Sequence, residues 1–145
     1  MTTQFNAIVT AMVAALNAGT PVAPQVDRVR LRPMAKTTDR AVVVRPDEAG
    51  AGEVAIYPNA PVSWTSAMVV ECYARSSAGT APDVAVDSLL EDAYARLMTD
   101  PTLGGVVSSL EPKTLKWDFD VDGEQTACAT LVFHALRASA GLTIT

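Results

Sequence analysis

The chain has 145 residues, 49% hydrophobic and 19% charged, a composition that suits one domain with a real core and excludes a disordered chain. Sixteen acidic residues against 11 basic ones leave a net charge of −5, which argues against a basic face that reads nucleic acid. The two cysteines, Cys72 and Cys128, form neither a disulfide framework nor a zinc site, and they fit a reducing compartment.

The first segment reads as a helix, because Phe5, Ile8, Val9, Met12 and Leu16 recur at three- and four-residue steps and share one face. Thr2 or Thr3 caps its start, and Asn17-Ala18-Gly19 supplies a stop. Its apolar run is broken by Asn6 and Thr10 and falls short of the roughly 20 residues that span a bilayer; with no basic region before it, neither a signal peptide nor a membrane span is expected. Composition therefore predicts a soluble protein of the cytoplasm. Thr20 to Pro24 forms a stiff connector, since each proline fixes its own φ and restricts the residue before it.

Val26 to Arg32 alternates with period two, which places Arg28, Arg30 and Arg32 on one face of a strand and Val29 and Leu31 on the other, with Pro33 as its end. Ala41 to Arg45 is a second strand, closed by Pro46, and Asp47 to Gly52 reads as a polar turn or mobile loop. Ile56-Tyr57 is a candidate brief strand. Val62 to Arg75 is the longest strand, with Trp64, Met68, Val70 and Cys72 on one face and Val69, Glu71, Tyr73 and Arg75 on the other.

A second helix begins at Pro82-Asp83 with Asp83 as its expected N-cap, and Val86, Leu89, Leu90, Ala93, Tyr94 and Leu97 form its apolar stripe. Asp100-Pro101 stops it, and a turn or partial helix covers Leu103 to Leu110. The last third predicts a hairpin. Leu115, Trp117, Phe119 and Val121 alternate on the way in, and Ala127, Ala129, Leu131 and Phe133 on the way out. Both sets share a face only if odd positions oppose odd positions; a three-residue loop of Val121, Asp122 and Gly123, pairing Asp120 with Glu124, achieves this. The order α-β-β-(β)-β-α-β-β predicts a single α+β domain over residues 1–145: a small, mostly antiparallel sheet flanked by two main helices, with a C-terminal β-hairpin.

Motifs for chemistry are weak. Asp118 to Glu124 matches the first seven positions of an EF-hand loop, but position twelve is Ala129, where a bidentate glutamate is needed, and the flanks alternate as strands. The segment reads as an exposed acidic hairpin tip, and no calcium is expected. The sole histidine, His134, has no visible nucleophile partner, both cysteines fall in strands, and Gly104-Gly105 lacks the lysine and spacing of a phosphate loop. No enzyme, metal or cofactor is expected from these residues.

The charge distribution is more informative. Seven of the 11 basic residues precede Pro82, six of them between Arg28 and Arg45, whereas Asp83 to Glu124 carries ten acids against three bases. One reading is two ordinary solvated faces. The other is an electrostatically polar subunit whose basic side meets a neighbour's acidic side, a head-to-tail contact that closes a ring where the rotation permits. An acidic lumen in such a ring would let DNA pass without sticking.

An N-terminal amphipathic helix, a proline-rich connector and then Arg28-Val29-Arg30-Leu31-Arg32-Pro33 resemble the opening of tail terminator proteins of long-tailed (siphovirus-type) double-stranded DNA phages, the lambda minor tail protein U type. Ser63 to Arg75 is similar to that family's central strand, and Asp83 to Met98 followed by Leu103-Gly104-Gly105 to its helix and turn. The likeness in size and element order runs over nearly the whole chain. It implies a structural virion protein at the neck end of the tail, made in the host cytoplasm. Such a protein forms a homohexameric ring on the tail tube, stops tube polymerisation and meets the head–tail connector or adaptor protein. DNA is only cargo passing through the ring, and no membrane, metal or catalytic residue comes with the family. The charge asymmetry, not the resemblance, names Arg28, Arg30 and Arg32 as one candidate ring contact and Asp118, Asp120, Asp122 and Glu124 as another. Rival readings are another neck component (a connector or tail-completion protein), a tail-tube subunit, or a small-molecule binding domain.

Overall fold

The structure, a computed structural model, describes residues 2–29, 37–52, 57–76, 79–119 and 125–145. Seven elements follow in chain order: α1 (Gln4–Asn17), β1 (Gln25–Arg28), β2 (Arg40–Ala51), β3 (Val62–Arg75), α2 (Pro82–Met98), β4 (Ser109–Phe119) and β5 (Thr126–Ser139). The strands form one sheet in the order β1-β2-β3-β5-β4, in which β1 runs parallel to β2 and all other neighbours are antiparallel. The α+β class and the C-terminal hairpin are those read from the sequence. No helix among the described residues is long and apolar enough to cross a membrane.

Both helices lie on one face of the sheet. Register explains why: Val42 faces Cys72, which faces Ala129; Val44 faces Val70, which faces Leu131; Met68 faces Phe133. These rows join Ile8, Val9, Met12 and Leu16 of α1 and Val86, Leu89, Ala93 and Leu97 of α2 in one buried cluster. The helix-period stripes and the strand alternation therefore meet in a single core. α1 rests on β1 and β2, and α2 on β3 and β5, with only slight contact between α2 and β4.

Local caps match the sequence in part. Thr3 is the N-cap of α1, and its hydroxyl accepts from the Asn6 amide at 3.4 Å. The N-cap of α2 is Ala81, with no side-chain bond, and Pro82 occupies the first turn. Asp83 thus acts from inside the first turn, favourably placed against the helix dipole, and not as the cap. The Arg96 guanidinium at the other end of α2 donates to the carbonyls of Ala18 and Thr20, tying the connector to the helix.

Three strand boundaries differ from expectation. β1 stops at Arg28, because Val29 adopts φ 40°; the rest of the period-two run, residues 30–32, lies outside the described residues. β2 does not stop at Pro46 but continues to Ala51, and most of the expected loop is strand. The proline is tolerated because β1 covers β2 only as far as Val44, leaving the outer side of Pro46 without a ladder among the described residues, and because the register shifts at once between Pro46 and Glu48. The candidate strand at Ile56-Tyr57 is not one at Tyr57, which lies in a turn; Ile56 is outside the described residues.

The hairpin keeps the expected parity, odd opposite odd, but in a register displaced by two residues: Phe119 pairs with Ala127 and Trp117 with Ala129. The proposed three-residue loop would set Phe119 opposite Gln125; the loop itself lies outside the described residues. β4 also begins earlier than expected, at Ser109, after a turn built on Asp100. There the Asp100 carboxylate accepts from the Thr102 amide (3.0 Å), the Thr102 hydroxyl (2.6 Å) and the Gly104 amide (2.7 Å). These bonds hold its pKa below the usual carboxylate range, the Thr102 hydroxyl contributing most. Leu103, Gly104 and Gly105 are successively left-handed (φ 52°, 69° and 87°), which buries Leu103 in the core while reversing the chain.

Candidate interaction surface

The helix-bearing face of the sheet is not covered to its end. Leu115, Trp117 and Phe119 of β4 oppose Leu131, Ala129 and Ala127 of β5 and so point to the same side as the core. Yet they remain 38%, 46% and 57% exposed, while their three partners are buried. The cause is position: β4 is the outermost strand, and α2 lies over β3 and β5. What results is a groove with β4 as floor and α2 as wall. One hollow of about 380 Å³ runs between Tyr94 and Leu115, and a second of about 460 Å³ between Val84, Trp117 and Phe119.

The wall is acidic. Asp83, Asp87 and Glu91 stand four residues apart on α2, hence in one row, and all three line this groove. None has an ion-pair partner among the described residues. The Lys113 ammonium, at the groove's rim, already pairs with Glu111 at 3.0 Å. Tyr94 lies stacked on the buried Phe133, ring centroids 6.3 Å apart, and joins the groove to the core. An apolar floor beside a row of unpaired carboxylates suits a partner surface that carries both apolar and cationic side chains.

The opposite face of the sheet holds a closed polar cluster. Glu71 receives Nε of Arg45 at 2.7 Å on one oxygen and the Tyr73 hydroxyl on the other. Burial first, then the bond to Glu71, pushes the Tyr73 phenol above its ordinary range. Burial also pushes the Cys72 thiol up to about 12 and raises Cys128, so neither is a thiolate nucleophile near neutral pH. His134 is half-buried on this face, opposite Ala67 and Glu111. Among the described residues no group of three or more His, Cys, Asp or Glu side chains stands close enough to hold a metal ion. This cluster braces the sheet chemically rather than presenting free groups.

The two candidate contacts named from charge lie at opposite edges. Arg28 ends β1, and its guanidinium donates to the Thr10 hydroxyl (3.1 Å) and to Asn6 on α1, both neutral partners. Asp118 is in β4, exposed, with Lys116 at 3.9 Å. Arg30, Arg32, Asp120, Asp122 and Glu124 lie outside the described residues. The structure therefore does not bring Arg28 and Asp118 together within one chain; four strand spacings, roughly 19 Å, separate the two edges. Sequence reasoning missed the groove. Its trace was present, since Pro112, Lys113 and Lys116 are residues that mark a strand left at a sheet edge.

No protein-family model matches the sequence, and no curated protein matches it significantly. Solved structures do. The chain is similar to one from the virion of a native gene transfer agent particle, at 14% identity over 91% of this chain and 95% of that one, with a TM-score of 0.49, too low to carry a fold assignment. It is also similar to a chain in the structure of an extracellular contractile injection system, the PVC sheath/tube terminator in its extended state. That match has 13% identity, covers 100% of this chain and 61% of the other, and has a TM-score of 0.51. The whole of this chain thus shares its fold with about three fifths of a chain from a terminator assembly.

Proposed function

We propose that the protein is a structural component of a phage-tail-like particle, of the tail-terminator type. It assembles as a ring, six copies by the resemblance drawn from the sequence, on the end of the tail tube. There it halts tube growth and offers the surface that meets the head–tail connector, DNA passing through as cargo. The observation that carries the reading is the fold shared with the terminator-assembly chain over the full length of this one. The exposed apolar groove beside β4 supports it, since a chain that acts by assembly needs such a face and an isolated monomer does not. The role is one of binding and geometry, and no step of it needs a catalytic group.

The test is a tube-growth assay. Tail-tube protein is polymerised with and without this protein, and lengths and ends are measured by negative-stain microscopy. The reading expects shorter tubes with a disc of density at one end. Tubes of unchanged length and bare ends would refute the terminator role, and binding to isolated connector rings alone would assign the protein to another place in the neck.

A further inference from the structure

The groove between α2 and β4 has a definite occupant in prospect. We infer that it is the acceptor half of a head-to-tail contact between copies of this chain, filled by the β1 edge of the next subunit at Arg28 and Val29. The inference rests on the assembly reading above and names the surfaces that make it. Three observations carry it.

First, the groove is unfilled by its own chain. Trp117, Phe119 and Val84 are each about half exposed, and these three large apolar side chains cluster along one hollow of about 460 Å³. Second, its wall carries Asp83, Asp87 and Glu91 with no cation paired to them among the described residues, while Arg28, which ends β1 at the opposite edge of the sheet, meets only the neutral Asn6 and Thr10 among the described residues. Val29, beside Arg28, is 49% exposed, so that edge also offers an apolar side chain next to its charge. Third, a symmetric contact of groove with groove would bring two rows of carboxylates together, which like-charge repulsion opposes. Joining opposite edges instead sets Arg28 against those carboxylates and gives a heterologous contact, the kind that closes into a ring.

The arrangement makes a distinctive prediction for two variants that each lose one side. Trp117→Glu/Phe119→Glu spoils the groove, and Arg28→Glu/Val29→Glu spoils the β1 edge. Light scattering of each alone should give the single-chain mass of 15.2 kDa under conditions where the wild type assembles. An equimolar mixture should give a species of twice that mass and nothing larger, because one intact groove meets one intact edge and the two spoiled sides are both acidic. Unchanged thermal unfolding of each variant shows that the fold is kept.

Assembly of the Trp117→Glu/Phe119→Glu variant like the wild type would overturn the inference while leaving the ring reading intact. Assembly of Arg28→Glu/Val29→Glu alone, without the groove variant, would also overturn it and point to a symmetric contact. If the groove variant forms normal rings but no longer binds tubes, the groove belongs to the tube contact and not to a second copy. A wild type that stays monomeric, free and on tubes, would remove both this inference and the ring.

Discussion

Two stretches of one sheet face behave in opposite ways. On β5, Ala127, Ala129, Leu131 and Phe133 are buried beneath α2, whereas directly beside them Leu115, Trp117 and Phe119 of β4 remain open. The alternation is the same, the side of the sheet is the same, and the β4 residues are the larger. What differs is cover. Period-two patterning assigns a side chain to a face, but whether another element sits over that face depends on where the helix lands. An aromatic strip that should belong to the core therefore stands as a surface.

The contrast is sharpest in stability. Phe133, wholly buried under Tyr94, should cost about 3–5 kcal/mol when replaced by alanine, read as a fall in the urea midpoint at constant slope. Trp117→Ala should cost under about 1 kcal/mol in the monomer despite removing a larger side chain. Equal losses at the two positions would mean that the strip is covered in solution and would break the comparison.

Between these lie two backbone positions. A Cβ on Gly141 would stand 2.5 Å from the Ala60 carbonyl oxygen, so Gly141→Ala must displace the segment that returns the chain to α1, where the Gln4 amide donates to the Ile144 carbonyl at 2.7 Å. A loss of about 1–3 kcal/mol is expected by chemical denaturation. Gly104→Ala meets no neighbour within 4 Å, and its penalty comes from φ 69° alone, about 1 kcal/mol.

The smallest expected effect is a pH signature. Because its bonds lower the folded pKa of Asp100, its contribution is present above the ordinary carboxylate range and is lost as pH falls through the lowered value. The difference in Tm between wild type and Asp100→Ala should therefore be greatest near neutrality and shrink in acid. A difference independent of pH would show that the carboxylate is not what holds the Leu103-Gly104-Gly105 turn.

Much of the fold was legible in the residues. The α1 stripe, the α2 stripe and the faces of β3 and β5 follow from periodicity, since most of the residues that repeat in sequence are buried in the core; Tyr94, 41% exposed, and the half-buried Phe5 and Trp64 are the exceptions. Boundaries were less so. Pro46 reads as a terminator locally, yet it survives in β2 because β1 has already ended beside it, a fact of strand neighbours that no local pattern contains. Arg28 reads as part of a stripe, but Val29 turns left-handed and the strand stops. The hairpin's parity followed from shared faces, while its two-residue displacement belongs to a loop whose length parity alone does not determine. The groove was the least legible, because exposure of Leu115, Trp117 and Phe119 is a property of where α2 lies. Their neighbours Pro112, Lys113 and Lys116 carried the only hint.

The central claim is that this open strip is a contact face. Amide hydrogen exchange of residues 109–119, compared between dilute monomer and assembled protein, tests it most directly. The account predicts strong additional protection along β4 and the adjoining turns of α2 on assembly, with little change on the Arg45–Glu71–Tyr73 side of β2 and β3. Assembly that leaves β4 exchanging as in the monomer would contradict it.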